Sequence, residues 1–250
     1  WRFAASPPHN SPDQNWRIEM GSINTVHHLA ISTADIKKQI DFFSRVLGLE
    51  LVALYWMHGV DNAWHAFLRL NEKSLLAFIF TPDNKEIQSE DGVTHAPHMG
   101  GASAPGTMQH VALNVDSLDD LFAFRDRLRE HGIPAFGPFD HGMCQSLDFA
   151  GPERLTLEIA TSKEPIDSDS WIDPEVVALA NISAEELTTY RNPEPLARPA
   201  VDAVQQPPFA DDKPHLRYPP AMYEKMLSAS DEKLISRMSM ADPPVPARSK

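Results

Sequence analysis

The sequence predicts an α+β fold: two tandem βαβββ modules forming paired curved sheets around a cleft, with an irregular helical C-terminal extension. Three observations carry this reading. The strand-then-helix run "HHLAISTADIKKQIDFFSRVLGLEL" recurs in outline as "QHVALNVDSLDDLFAFRDRLREHGI". Each copy is followed by strand-like apolar runs. From residue 162 onward the texture changes to proline-rich chain that holds more than half of the 22 prolines.

Residues 1–21 are polar, proline-bearing and without period, and are expected to be an extension or leader, with Met20 available as a start. The first module is expected over 22–81. Its opening strand "HHLAIST" alternates, and Ile36, Ile40, Phe43 and Leu47 then fall at helical spacing. "LELVALY", "WHAFLRL" and "LLAFIF" supply three more strands. A Gly- and Pro-rich linker, 82–107, carries His95 and His98, read as loop residues. The second module is expected over 108–161. Ser117 with Asp120 makes a helix start, and Leu121, Phe124 and Leu128 form the buried stripe. Strands follow near "IPAFGPF", "MCQSLDF" and "RLTLEIA". Gly48 and Gly132 stand where helices end in a left-handed residue. In the extension, 162–250, "DPEVVALA" and "SAEELTTY" begin with helix-start signals. "PAMYEKMLSASDEKLISRM" places Met222, Met226, Leu227, Leu234 and Met238 at near-helical spacing. These pieces are too short for their own core, so they are expected to wrap the modules or meet a second subunit.

Composition removes several function classes. A formal charge of −13 argues against binding a phosphate backbone or an anionic membrane surface. No apolar run reaches the roughly 20 residues that span a bilayer. One cysteine, Cys144, permits neither an intrachain disulfide nor a cysteine zinc knuckle. A cytoplasmic protein is the expectation, with no nucleic-acid or membrane partner.

Superposing the copies matches His28 with His110 at the same place in the two opening strands. The last strands, aligned as "SLLAFIF" and "RLTLEIA", put Glu158 opposite Phe78. His27 then faces away from His28, because successive strand residues point to opposite sides.

Matched first-strand histidines, a last-strand glutamate and the phrase "LDFAGPERLTLEIA" resemble the vicinal oxygen chelate superfamily of glyoxalases, bleomycin and fosfomycin resistance proteins and extradiol dioxygenases. The resemblance covers residues 22–161. It implies a divalent metal held by His28, His110 and Glu158. Two imidazoles and one carboxylate suit non-haem Fe(II), with Mn(II) or Zn(II) as alternatives. With three ligands and none from the first copy's last strand, the set is most similar to a ring-cleaving extradiol dioxygenase, acting with O2 on a small catechol-like aromatic. The family's usual second-sphere histidine and tyrosine fall here on Ser74 and Asp148. His141, in "FDHGMCQSLDF", is left as the candidate catalytic acid–base group, against its reading as a turn histidine. Trp56, Trp64 and Phe78 are candidates for an aromatic pocket or for the core. His65 is left open by one residue of strand phase. Two other activities remain: a non-oxidative glyoxalase-like lyase or isomerase using the metal as Lewis acid, and metal-free binding of a small molecule. A homo-oligomer through the C-terminal extension is the expected assembly.

Overall fold

The computed structural model describes residues 23–194 and 204–246, so the expected leader at 1–21 lies outside the described residues. The described parts of Thr25–Asp173 and Asp231–Lys250 form one compact unit, and those of Trp1–Asn24 and Pro174–Ser230 another.

The larger unit contains both modules. In the first, β1 (His28–Thr33) leads into α1 (Ile36–Asp41), which widens into a π-helical turn over Phe42–Val46. Three antiparallel strands follow: β2 (Glu50–Trp56), β3 (Trp64–Arg69) and β4 (Leu75–Phe80). The second module repeats the plan with β5 (Val111–Asn114), α2 (Leu118–Glu130), β6 (Ala135–Asp140), β7 (Gln145–Ala150) and β8 (Thr156–Thr161). The strand orders are β1-β4-β3-β2 and β5-β8-β7-β6. In each sheet the helix crosses over from the first strand to the second at the far edge, and two hairpins bring the last strand back parallel to the first.

Local chemistry sets these boundaries. The Asp35 carboxylate accepts from Lys38 N at the start of α1, and Ser117 Oγ accepts from Asp120 N at the start of α2. Gly48 and Gly132 take φ of +79° and +74° as each helix stops, and Ile133 N closes back on Leu128 O at 2.9 Å. Phe43, fully buried, lies 5.0 Å from the Phe78 ring. That contact fixes the face of β4. Leu76, Phe78 and Phe80 point to the helix, while Leu75, Ala77 and Ile79 point to the open face.

The register corrects the alignment of the last strands. Ala30 pairs with Ala77 in the first sheet, and Ala112 with Glu158 in the second. With His28 matched to His110, the partner of Glu158 is therefore Ala77 and not Phe78. Strand β4 is apolar on both faces, so its sequence carries no alternation that could fix its phase, and a slip of one residue exchanges the faces.

The extension forms α3 (Ser168–Trp171), α4 (Pro174–Leu179), α5 (Ala184–Arg191), α6 (Pro220–Leu227) and α7 (Asp231–Met238). Helix α5 begins with a capping box between Ser183 and Glu186. The helix expected near 222–238 is two, broken at Ser228–Ala229–Ser230. Serine side chains compete with the helix for backbone hydrogen bonds, and Asp231 is a strong starter.

Candidate functional site

The second sheet carries His110, Glu158 and Asp148 on its open face, with His141 in the turn after β6. His110 stands just before β5, and its Nε2 lies 3.1 Å from Oε2 of Glu158 on β8. The Glu158 side chain is 11% exposed and that of His110 35%, so the pair sits at the edge of a dry surface. Asp148 on β7 is the direct cross-strand neighbour of Glu158. Burial first, then the charge of Glu158, push the Asp148 carboxyl above the usual aspartate range, against smaller opposite effects of His141 and His110. His141 occupies the exposed turn between β6 and β7, where its N–H donates to Cys144 O at 2.9 Å. Burial, then Glu158 and Asp140, push the Cys144 thiol up, which keeps it a poor nucleophile.

His28 belongs to a different neighbourhood. Its Nδ1 lies 2.9 Å from Nδ1 of His27, and its ring meets Phe67 edge-on at 5.6 Å. His65 is 4.3 Å from the same Phe67 ring and 5.9 Å from Tyr55. These contacts settle the phase of β3: His65 faces the open side with Phe67, and its Nε2 is buried without a partner. Burial first, then His28, hold the His65 imidazole below its ordinary range. Among the described residues no group of three or more His, Cys, Asp or Glu comes together to hold an ion. One chain therefore presents His110 with Glu158 as a donor pair and His28 apart from it.

A cavity of about 730 Å³ is lined by Asp148, the cross-strand neighbour of Glu158, and by Thr156, with Phe136 and Phe139 as aromatic walls and the linker residues Pro97, His98 and Met99 along one side. The linker is held there by Thr156 Oγ1 donating to Ala96 O at 2.7 Å. His98 thus lines a cavity, which its loop position alone did not indicate. The tryptophans do not contribute. Trp64 stacks on Phe80 at 4.8 Å and meets Trp56 at 5.9 Å, on the face opposite the histidines.

Two modules of this topology, in one chain, match a known pattern. The model of the glyoxalase/bleomycin resistance protein/dioxygenase superfamily matches residues 25–159, more than half of the sequence. The chain belongs to that superfamily. A curated relative, the Bacillus subtilis (strain 168) protein named "Putative ring-cleaving dioxygenase MhqA", is 24% identical over 145 residues, which cover 57% of this chain and 42% of that protein. The chain thus spans less than half the length of the curated relative it matches. Among solved structures, a glyoxylase/bleomycin resistance protein/dioxygenase domain from Frankia sp. EAN1pec aligns with a TM-score of 0.44 and 14% identity, covering 57% of this chain and 100% of that one. The antibiotic binding protein TnmS3 from Streptomyces sp. CB03234 aligns with a TM-score of 0.41 and 18% identity, covering 57% and 99%.

For a divalent ion, the described residues of this superfamily member fit in part. An imidazole nitrogen and a carboxylate oxygen face each other, and only a proton or a cation can join two such atoms. The third donor expected from the sequence, His28, is not beside them. Gln109 was not singled out by sequence reasoning at all. Nothing in a strand pattern marks a glutamine beside a histidine as its hydrogen-bond partner.

Proposed function

We propose that this chain is a metal-dependent oxidoreductase of the ring-cleaving dioxygenase kind, acting with O2 on a small catechol-like aromatic. The observation that supports this most is the His110–Glu158 pair, 3.1 Å apart, with the neighbouring Asp148 lining an aromatic-walled cavity. In this reading His110 and Glu158 would hold the ion, and His28, which the fold of one chain does not bring beside them, would be the third ligand. The ion is Fe(II), with Mn(II) or Zn(II) as alternatives. When bound, a divalent ion supplies a positive charge on which two adjacent substrate oxygens are held. The rest is done by side chains. Phe136 and Phe139 offer aromatic surface to the ring, beside the Asp148–Glu158 carboxylates. His141, in the turn after β6 and near enough to Asp148 to act on its charge, is the group that moves a proton. The protein is cytoplasmic in this reading, and its C-terminal extension serves a homo-oligomer.

The experiment is anaerobic catechol binding by Fe(II)-loaded protein, followed by oxygen consumption, with metal content measured for His28→Ala, His110→Ala and Glu158→Ala. Each variant is expected to lose tight metal binding and keep its fold. His141→Ala is expected to keep the metal and lose roughly 10²–10⁴-fold in turnover. Catechol binding without oxygen uptake would replace ring cleavage by a Lewis-acid lyase or isomerase reaction. A second reading, metal-free binding of a small aromatic, is favoured by the absence of a three-donor group among the described residues. Protein without metal whose ligand binding survives His28→Ala would select it.

A further inference from the structure

Arg154 lies in the turn between β7 and β8, and it lines the aromatic-walled cavity together with Asp91 of the linker. Its backbone is left-handed, with φ of +65°, directly after Glu153 at +55°. Glycine adopts that conformation freely. For a residue with a long side chain it shifts the folding equilibrium against the chain by roughly 5–30-fold. What Arg154 returns to stability is smaller. Its Nη1 donates to Asp91 Oδ1 at 3.1 Å, with the two side chains 54% and 51% exposed. An ion pair so exposed contributes about fivefold at most. Stability therefore does not account for an arginine at this position. That single bond leaves the other N–H donors of the guanidinium without a partner among the described residues. Among the described residues that line the cavity, no other is a lysine or arginine.

The geometry points to Arg154 as the anchor for a carboxylate on the aromatic ligand of this cavity, which makes the substrate class an aromatic acid and not a neutral ring. This rests on the proposed reading of the cavity as the seat of an aromatic ring. The cavity follows β7 from Asp148 to Ala150 and continues to the turn that carries Arg154. Two residues of strand span about 7 Å, and a benzene ring with one carboxyl group is of similar length. A ring laid against Phe136 with its oxygens towards Asp148 and Glu158 directs its opposite substituent to the turn. There the planar guanidinium offers parallel N–H groups that match the two oxygens of a carboxylate. The formal charge of −13 repels anions from the chain at large, so an aromatic acid needs such a cation where it binds and a neutral ring does not. Asp91 holds the guanidinium in place and competes with the ligand for it.

The test follows binding of benzoate, benzyl alcohol and benzylamine to metal-free, full-length protein by NMR titration at neutral pH and low salt. Benzoate is expected to bind about tenfold or more tightly than benzyl alcohol, and to weaken as salt is raised. Arg154→Gln should weaken benzoate by roughly tenfold to hundredfold and leave benzyl alcohol unchanged. Arg154→Gly relieves the left-handed backbone, so it should lose benzoate in the same way while holding or raising the urea midpoint. Asp91→Asn should tighten benzoate, because the competing charge is gone; an ion pair with only a structural role predicts no gain. Equal affinity for benzoate and benzyl alcohol, tighter binding of benzylamine, or none of the three bound overturns the anchor. So does unchanged benzoate binding in the two Arg154 variants, a lowered midpoint in Arg154→Gly, or no gain in Asp91→Asn. Oxygen uptake with catechols judges ring cleavage separately. Benzoate binding that depends on Arg154, in protein that takes up no oxygen, keeps the anchor and sinks ring cleavage. Oxygen uptake in protein that binds benzoate and benzyl alcohol equally does the reverse.

Discussion

Removing the Glu153 carboxylate is expected to loosen the joint between the two modules. Glu153 lies in the turn between β7 and β8, and it reaches across to the corner between β1 and α1. Its Oε2 accepts from Thr33 Oγ1 at 2.6 Å and from Gln39 Nε2 at 2.6 Å, and its Oε1 accepts from Ala34 N at 2.8 Å. Gln39 is fully buried, and its Oε1 already lacks a partner. Glu153→Ala would leave Gln39 with no hydrogen bond from either end of its amide. A hydrogen bond to a charged group contributes about 1.5–3 kcal/mol, and orphaning a buried polar group costs about 1–3 kcal/mol. These terms share partners and are not additive. Half-burial of Glu153 reduces them further. We therefore expect a net loss of about 3–5 kcal/mol for Glu153→Ala. The assay is urea unfolding at neutral pH, with Thr33→Val and the double variant completing a cycle. A loss under about 1 kcal/mol, or a coupling to Thr33 near zero, would refute the reasoning. The main-chain conformation is not the confounder, since φ at Glu153 is +55° and alanine is no worse there than glutamate.

Two further outcomes are expected. Because His65 titrates below 6.5 in the folded protein, the unfolded chain takes up the proton first. Its contribution to stability is therefore full above pH 6.5 and falls as pH drops through 6.5 towards the folded value; His65→Gln should flatten that acid slope in urea midpoints of metal-free protein, and an unchanged slope would show that burial of this imidazole costs nothing. A chain ending after about residue 165 should lose solubility or change its size on a gel-filtration column, because the cut removes α7, which belongs with the modules, and the extension that exposes Leu216, Ile235 and Met238. Unchanged size and stability would make the extension dispensable.

The repeat was legible because its signals are local. Alternation in "HLAIST" and "HVALNV", the Ser117 and Asp35 caps and the glycines after each helix are all decided within a few residues. The phase of β4 was not, because "LLAFIF" is apolar on both faces and only its pairing with β1 shows which side chains meet the helix. The same limit hid the whereabouts of Trp56 and Trp64. His110 and Glu158 stand out in the sequence as polar residues in apolar strands, whereas Gln109 makes its contacts with a linker whose course no sequence period records.

With the register in hand, the two copies turn out to have divided their chemistry. Ala77 stands where the second sheet has Glu158, and Phe67, paired with Ala77, stands where it has Asp148. His65, paired with Ile79, matches Ser146, paired with Ala160, and both have a buried side-chain atom without a partner. We have no physical account of that coincidence. The asymmetry elsewhere has one. Burial first, and then the charge of Glu158, raise the cost of ionising Asp148. A duplicate set on the first sheet would add like charge without adding a donor of another kind. The first sheet's open face instead carries the Tyr55, His65 and Phe67 rings, while the carboxylates stay on the second.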